Sequence, residues 1–363
     1  MRDLRISIAI IVTVLLSVGV IMIFSSSGIY ALQELGSSTY FLQRHLVYLC
    51  VGFILMALVM AMDYRLLSQY SKPILILSIV TLVLVLIPGI GKEVYGARRW
   101  FRFLGFGFQP SEFVKLAVVI YMADFLARKQ NRIKSFFFGF IPVLCVLGVV
   151  SLLILKQPDL GTTVLIAIVV FIMLFIAGTR IGYLASIVFL SLPAAYYLIA
   201  LVPYRLRRIQ AFLDPWSDKQ GAGFQLVQSQ IALGSGGIFG IGLGKSMQKL
   251  FYLPAAHTDF ILSIIGEELG LLGTTAIVFL FALFVWQGAR IAKRTEDPFG
   301  YFLAIGIVAM IGLQAIVNIG VSIGAFPTKG LPLPFISYGG SALIMQMVCV
   351  GILLNISRIQ DLL

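Results

Sequence analysis

Long apolar runs and short polar clusters alternate along this chain from residue 6 to residue 356. Ten runs come close to the ~20 residues that cross a ~30 Å hydrocarbon core. They cover about 6–26, 44–62, 73–89, 110–127, 136–155, 162–178, 182–202, 264–289, 299–323 and 339–356. Each is apolar on all sides of a helical projection, the pattern of a helix bathed in lipid, not that of one resting on a soluble core. The expectation is an all-α integral membrane protein of about ten transmembrane helices, forming a single polytopic domain over 1–363. A long extracytoplasmic loop, about 203–263, separates spans seven and eight. An even number of spans puts both termini on the same side.

Composition supports this pattern. Hydrophobic residues make up 60% of the 363 positions and charged residues 12%, and the mean hydropathy of +1.02 excludes an ordinary soluble domain. Arg2 and Arg5 followed by an apolar stretch imitate a signal peptide, but the stretch is too long for an h-region and no Ala-x-Ala pattern follows. The run is therefore read as an uncleaved first helix. Cys50, Cys145 and Cys349 lie in separate apolar runs and read as small buried hydrophobes. With His45 and His257 the only histidines, no zinc-ligand spacing exists. The net charge of +12 would suggest nucleic acid in a soluble chain; in membrane loops it meets lipid phosphates instead.

The basic residues divide evenly between the two sides, thirteen each, with Lys115 inside a span. Six of the outer thirteen fall in the one long loop, where the positive-inside rule loses force. Discounting that loop places both termini in the cytoplasm. It also leaves an unusually basic outer surface, suited to an anionic ligand.

The polar clusters carry the candidate chemistry, and each has a structural reading beside a functional one. Arg98, Arg99 and Trp100 form either an interfacial Trp with snorkelling arginines or a phosphate clamp, since guanidinium binds phosphate bidentately. Glu112 and Lys115, three apart at the start of span four, share a helix face and read first as an intramembrane ion pair. Asp159, in Gln157-Pro158-Asp159-Leu160-Gly161, reads first as the cap of span six. Gly244-Lys245-Ser246 imitates the end of a P-loop, but Phe239 occupies the required glycine position and no strand–helix context exists. The glycine-rich stretch before it reads as a tightly turning loop or as a backbone cradle for phosphate.

His257-Thr258-Asp259 stands before span eight and reads as a helix cap or, more sharply, as the site of a general base. A carboxylate at the membrane–water edge is partly desolvated, which moves its pKa toward a useful range. Glu267 and Glu268 form a second, costly acidic site in apolar sequence. Pro327, Pro332 and Pro334, followed by Ser337-Tyr338-Gly339-Gly340-Ser341, bar a regular helix and suit a cavity entrance.

These clusters in this order resemble the SEDS family (shape, elongation, division and sporulation), whose members are the FtsW, RodA and SpoVE proteins. The likeness covers essentially the whole chain and rests on Gly96–Trp100, Gln109–Glu112, Gln157–Gly161, His257–Phe260, Glu267–Gly270 and Pro332–Ser341. Thr328-Lys329-Gly330-Leu331 resembles the FtsW and SpoVE branch more than RodA. The resemblance implies a peptidoglycan glycosyltransferase that polymerises lipid II at the outer face of the bacterial plasma membrane. It implies work beside a class B penicillin-binding protein and other divisome or sporulation membrane proteins, as at the division septum. The family's essential aspartate matches Asp259, whereas many relatives carry Glu at the position of Ala255.

In that frame an acceptor hydroxyl attacks an anomeric carbon and undecaprenyl pyrophosphate leaves. Asp259 is the expected base or acceptor orienter; Arg98, Arg99, Lys245 and Lys249 are the expected pyrophosphate partners, with Trp100, His257 and Ser337 also expected in substrate binding. No cofactor motif is present; a divalent cation, Mg2+ or Mn2+, is a second means of neutralising pyrophosphate. Two other classes compete. A lipid II flippase would use intramembrane Glu112, Lys115, Glu267 and Glu268, yet no inverted repeat is visible. A scaffold that recruits the transpeptidase would leave the outer charges without reason to cluster.

Overall fold

The computed structural model describes residues 1–94, 96–103, 106–218, 221–250, 253–254 and 256–359. Every predicted span has its helix: α1 Arg2–Leu35, α2 Tyr40–Ala61, then a short α3 Arg65–Gln69 leading to α4 Ser71–Leu86. After α5 Pro110–Arg128 come α6 Ile141–Leu155, α7 Leu160–Ile176, α8 Ile181–Ala200, α9 Pro203–Leu213 and α10 Phe224–Ser235. The chain closes with α11 Ile261–Arg294, α12 Pro298–Ser322 and α13 Gly340–Ile359. Six helices are long and apolar enough to cross a membrane, and Ser71–Leu86, Leu160–Ile176 and Ile181–Pro193 are shorter apolar helices. The chain is an all-α multi-pass membrane protein with one small β element.

That element was expected as loop. Lys92–Val94, Ala97–Phe103 and Phe106–Phe108 form β1, β2 and β3 of an antiparallel sheet in the order β1-β2-β3. Aromatic residues such as Trp100 and Phe101 favour the extended backbone. The sheet is tied to the bundle end, where Gly107 N–H donates to Tyr48 Oη (3.3 Å) and Ser341 Oγ donates to Gly107 O (3.0 Å).

The centre of the bundle is α12, which packs on α5, α7 and α11. One end gathers Met1 and the last turns of α13: Ser357 Oγ donates to Met1 O (3.3 Å), and Asn355 Oδ1 accepts from Tyr64 N–H (3.1 Å). Nearby on that end, buried Asp124 accepts from Ser68 Oγ (2.6 Å), Ser71 Oγ (2.7 Å) and Arg128 Nε (2.7 Å). Met1 and the last described turn of α13 thus lie at the same end of the bundle.

Two features of the region 203–263 depart from a plain loop. It contains α9 and α10, and α10 is held by Ser229 Oγ, 2.6 Å from Ser263 Oγ and donating to Ser322 O at 2.7 Å. The following span is also not one straight helix. At Gly270, with φ 68° and ψ −164°, α11 breaks into a short half-helix and a long one. Such a break strands backbone groups that lipid cannot satisfy. The glycine-rich run supplies their partners: Ile241 and Gly242 N–H donate to Glu267 O (3.0 Å) and Glu268 O (3.1 Å). Leu271 and Leu272 N–H in turn donate to Gly237 O (2.9 Å) and Ile238 O (3.2 Å). A Cβ on Gly240 would lie 2.2 Å from Glu268 O, so only glycine lets the loop approach so closely. The amides of Ile241 and Gly242 are therefore committed to the kink, and the phosphate-cradle reading does not hold for them.

Gly270→Ala should consequently fail twice, through its left-handed φ and through a Cβ 2.3 Å from Gly240 N. We expect a loss of about 2 kcal/mol or more, read as a lower thermal midpoint in detergent.

Candidate active site

At the end of the bundle opposite Met1, the loop before α11 meets the proline-rich loop before α13. Tyr338 N–H donates to His257 O (2.9 Å). Ser337 Oγ donates to Thr258 O (2.6 Å) and accepts from Leu333 N–H (2.8 Å). Ser337 is therefore a buried pin between the two loops, not a group presented to a ligand. From the last turns of α12, Asn318 Nδ2 donates to both Asp259 O and Leu331 O, each at 2.8 Å. One turn earlier, Gln314 Nε2 donates to Pro332 O (2.9 Å) while its Oε1 accepts from Lys115 Nζ (2.8 Å).

Lys115 also pairs with Glu112 at 2.8 Å, both side chains buried. The expected ion pair is present, and it founds a polar column that runs from α5 through α12 to the Asp259 loop. The sequence reading missed Gln314 and Asn318. Their signal was two amides four apart in an otherwise apolar span, one helical turn on one face.

Asp259 lies between these loops with part of its surface open. Burial pushes its carboxyl up to about 6, and the Arg208 guanidinium draws it only part of the way back. Arg208, on α9, is itself placed by donating to Thr328 O (3.0 Å). Gly330 sits so close that a Cβ there would lie 3.3 Å from Asp259 Oδ2. Next to it the Lys329 ammonium is lowered by burial, with the charge of Asp159 acting in the opposite sense. Asp159 caps α7, accepting from Thr162 N–H (3.0 Å) and Thr162 Oγ1 (2.9 Å). Its capping reading is the one observed.

The other expected site residues separate. Arg99 Nε and Nη2 donate to Gln157 O (2.6 Å) and Pro158 O (2.7 Å), bracing the turn that carries Asp159. Arg98 makes an exposed ion pair with Glu93 across the sheet at 3.2 Å. Trp100 covers Gly107, whose Cβ would lie 3.3 Å from the indole. Lys245 is exposed on the turn after the glycine run. Lys249, expected near pyrophosphate, is buried instead and pairs with Glu268 at 2.9 Å. Ser25 of α1 completes that lock, its hydroxyl 2.7 Å from both Glu268 oxygens. Glu267 accepts from Met247 N–H (3.0 Å), Gln248 N–H (3.3 Å) and the Ser246 hydroxyl. Both glutamates thus hold the 245–250 turn that leads toward the Asp259 loop. Ala255 lies outside the described residues.

The chain matches, over residues 5–362, the cell cycle protein family of FtsW, RodA and SpoVE. It belongs to that family. It is 50% identical over 339 residues to a probable peptidoglycan glycosyltransferase FtsW of Geobacter sulfurreducens, covering 93% of this chain and 91% of the relative. It is 44% identical over 351 residues to stage V sporulation protein E of Bacillus subtilis, covering 97% of this chain and 96% of the relative. A solved structure described as structural coordination of polymerization and crosslinking by a peptidoglycan synthase complex matches with TM-score 0.80 and 30% identity, covering 97% of each chain. The rod shape determining protein RodA of Thermus thermophilus matches with TM-score 0.72 and 27% identity, covering 97% of this chain and 95% of that one.

In this FtsW/RodA/SpoVE member, no three His, Cys, Asp or Glu side chains converge on a common point among the described residues.

Proposed function

We propose that this chain, a peptidoglycan glycosyltransferase of the FtsW/RodA/SpoVE family, polymerises lipid II at the outer membrane face with Asp259 as its base. The observation that carries the reading is one carboxyl, raised to about 6 by burial and faced by a guanidinium, at the membrane edge. A general base works best with a pKa near the working pH. Asp259 takes the proton of the acceptor hydroxyl as that oxygen bonds to the anomeric carbon of the donor. The bond from that carbon to pyrophosphate breaks, and undecaprenyl pyrophosphate departs with the electron pair. Arg208 is the cation set beside Asp259, and Lys329, which adjoins Gly330 in sequence, faces Asp159; both suit the developing charge on the leaving group. Where Mg2+ or Mn2+ takes part, Asp259 is the ligand the chain supplies.

With the one long basic loop set aside, the positive-inside rule favours both termini in the cytoplasm, and a class B penicillin-binding protein is the fitting partner to crosslink the product. Similarity to FtsW and to stage V sporulation protein E suits the division septum or the spore wall. Of the intramembrane charges that a flippase would need, Glu112 is bound to Lys115, Glu268 to Lys249 of the 245–250 turn, and Glu267 to the Ser246 hydroxyl and the Met247 and Gln248 amides of the same turn. The test is to mix purified protein with lipid II and a class B partner and resolve the products by size. Glycan chains are expected; lipid II crossing reconstituted bilayers with no chain formed would overturn the reading.

A further inference from the structure

Rings from three separate elements meet around His257, on the same loop as Asp259. Phe41, in the first turn of α2, lies 4.7 Å from the His257 ring, and Tyr30, late in α1, lies 6.0 Å away with its plane inclined 30° to it. Tyr338 meets Phe41 edge-on at 5.1 Å and His257 at 5.9 Å. Beside them Arg44 covers the Tyr40 ring at 4.6 Å. Tyr30 is 38% exposed, and Phe41, His257 and Tyr338 are half-buried, so the cluster opens outward.

Aromatic residues at a membrane surface ordinarily form a dispersed belt. These converge instead on one imidazole two residues from Asp259, and the backbone bond from Tyr338 N–H to His257 O (2.9 Å) keeps the two loops in register. Two residues span at most about 7 Å, on the scale of one sugar ring. The His257 ring is neutral at physiological pH, burial having lowered it to about 4. Apolar ring faces bordered by phenol hydroxyls and an uncharged imidazole suit a pyranose, with its apolar C–H face and hydroxyl rim, better than a pyrophosphate.

We propose that Tyr30, Phe41 and Tyr338 form, around His257, a stacking platform for a sugar ring of the acceptor strand and set its hydroxyl at Asp259. The assignment rests on the polymerase reading for which strand occupies it, not for the presence of a saccharide site.

The probe is a lipid-free N-acetylglucosamine–N-acetylmuramic acid tetrasaccharide, bound to the full chain in detergent and followed by saturation-transfer NMR without turnover. Wild type should transfer saturation to the sugar. Phe41→Leu and the exposed Tyr30→Leu should each weaken binding about tenfold, the upper end of one lost aromatic contact. Phe41→Tyr, which keeps the ring, should bind as wild type and so separates lost stacking from lost folding. Failure of wild type to bind the tetrasaccharide, unchanged binding in both leucine variants, or loss of undecaprenol binding in their place would overturn the platform. A platform that binds sugar in a protein that makes no glycan would instead sink the polymerase reading alone. Glycan formation with no sugar bound at these rings would sink only the platform.

Discussion

Replacing Asp259 with Asn is expected to lower the polymerisation rate by about 10²- to 10⁴-fold, the range assigned to a positioned general base. The effect has a pH signature. Because burial raises the folded-state carboxyl to about 6, activity of the parental protein should climb as pH rises through 6. The residual activity of Asp259→Asn should lack that limb. Stability runs the other way. The folded chain holds this proton more tightly than the unfolded chain, whose carboxyl has the ordinary value of 3.8. The group therefore favours the folded state below the unfolded value of 3.8, and that advantage is lost as pH rises from there through about 6. Asp259→Asn, which cannot ionise, should melt at a higher temperature than the parent at pH 8 and by about half that margin at pH 5. A variant that melts like the parent at both values, with an unchanged activity profile, would remove Asp259 from the chemistry.

The second large effect concerns the lock between α1 and the α11 kink. Lys249→Met removes the cation from a carboxylate that is fully buried and 2.9 Å from it. Breaking such a pair from one side costs about 3–5 kcal/mol, because the remaining charge has no solvent to turn to. Ser25 and the Ser246 N–H still face Glu268, so the carboxylate keeps hydrogen bonds but not its counter-charge. The double variant Lys249→Met, Glu268→Gln should recover most of the lost thermal stability, since it leaves no lone buried charge. If the single and double variants melt together, the pair is not what holds the 245–250 turn. Activity offers a further separation. A pyrophosphate-binding Lys249 would lose turnover in the double variant without recovery, whereas a structural Lys249 would regain it with stability.

The spans were legible because hydrocarbon admits few charges, and that exclusion writes itself into the sequence as length and hydropathy. The Glu112–Lys115 pair and the Asp159 cap were legible for a similar local reason: both partners lie within one helical turn. What depended on distant parts of the chain was not. Arg208 reaches Asp259 from a separate helix about fifty positions upstream, and nothing in the local sequence marks that approach. Lys249 looked like an available cation because its partner, Glu268, follows nineteen residues later beyond an intervening loop. The glycine run suggested a phosphate site until its amides were found on the stranded carbonyls of the kink. Tyr30 and Phe41 carried no signal, since an aromatic residue near the end of an apolar run is most simply read as lipid-facing. Asp259 itself could be singled out by its place at a membrane edge, and the family resemblance made it the leading residue.

The most direct test of the central claim compares wild type and Asp259→Asn in one lipid II polymerisation assay, each with the same class B partner and each checked for a monodisperse fold. Long glycan chains from the first and none from the second are the predicted result. Equal chains from both, in proteins of equal stability and yield, would contradict the account.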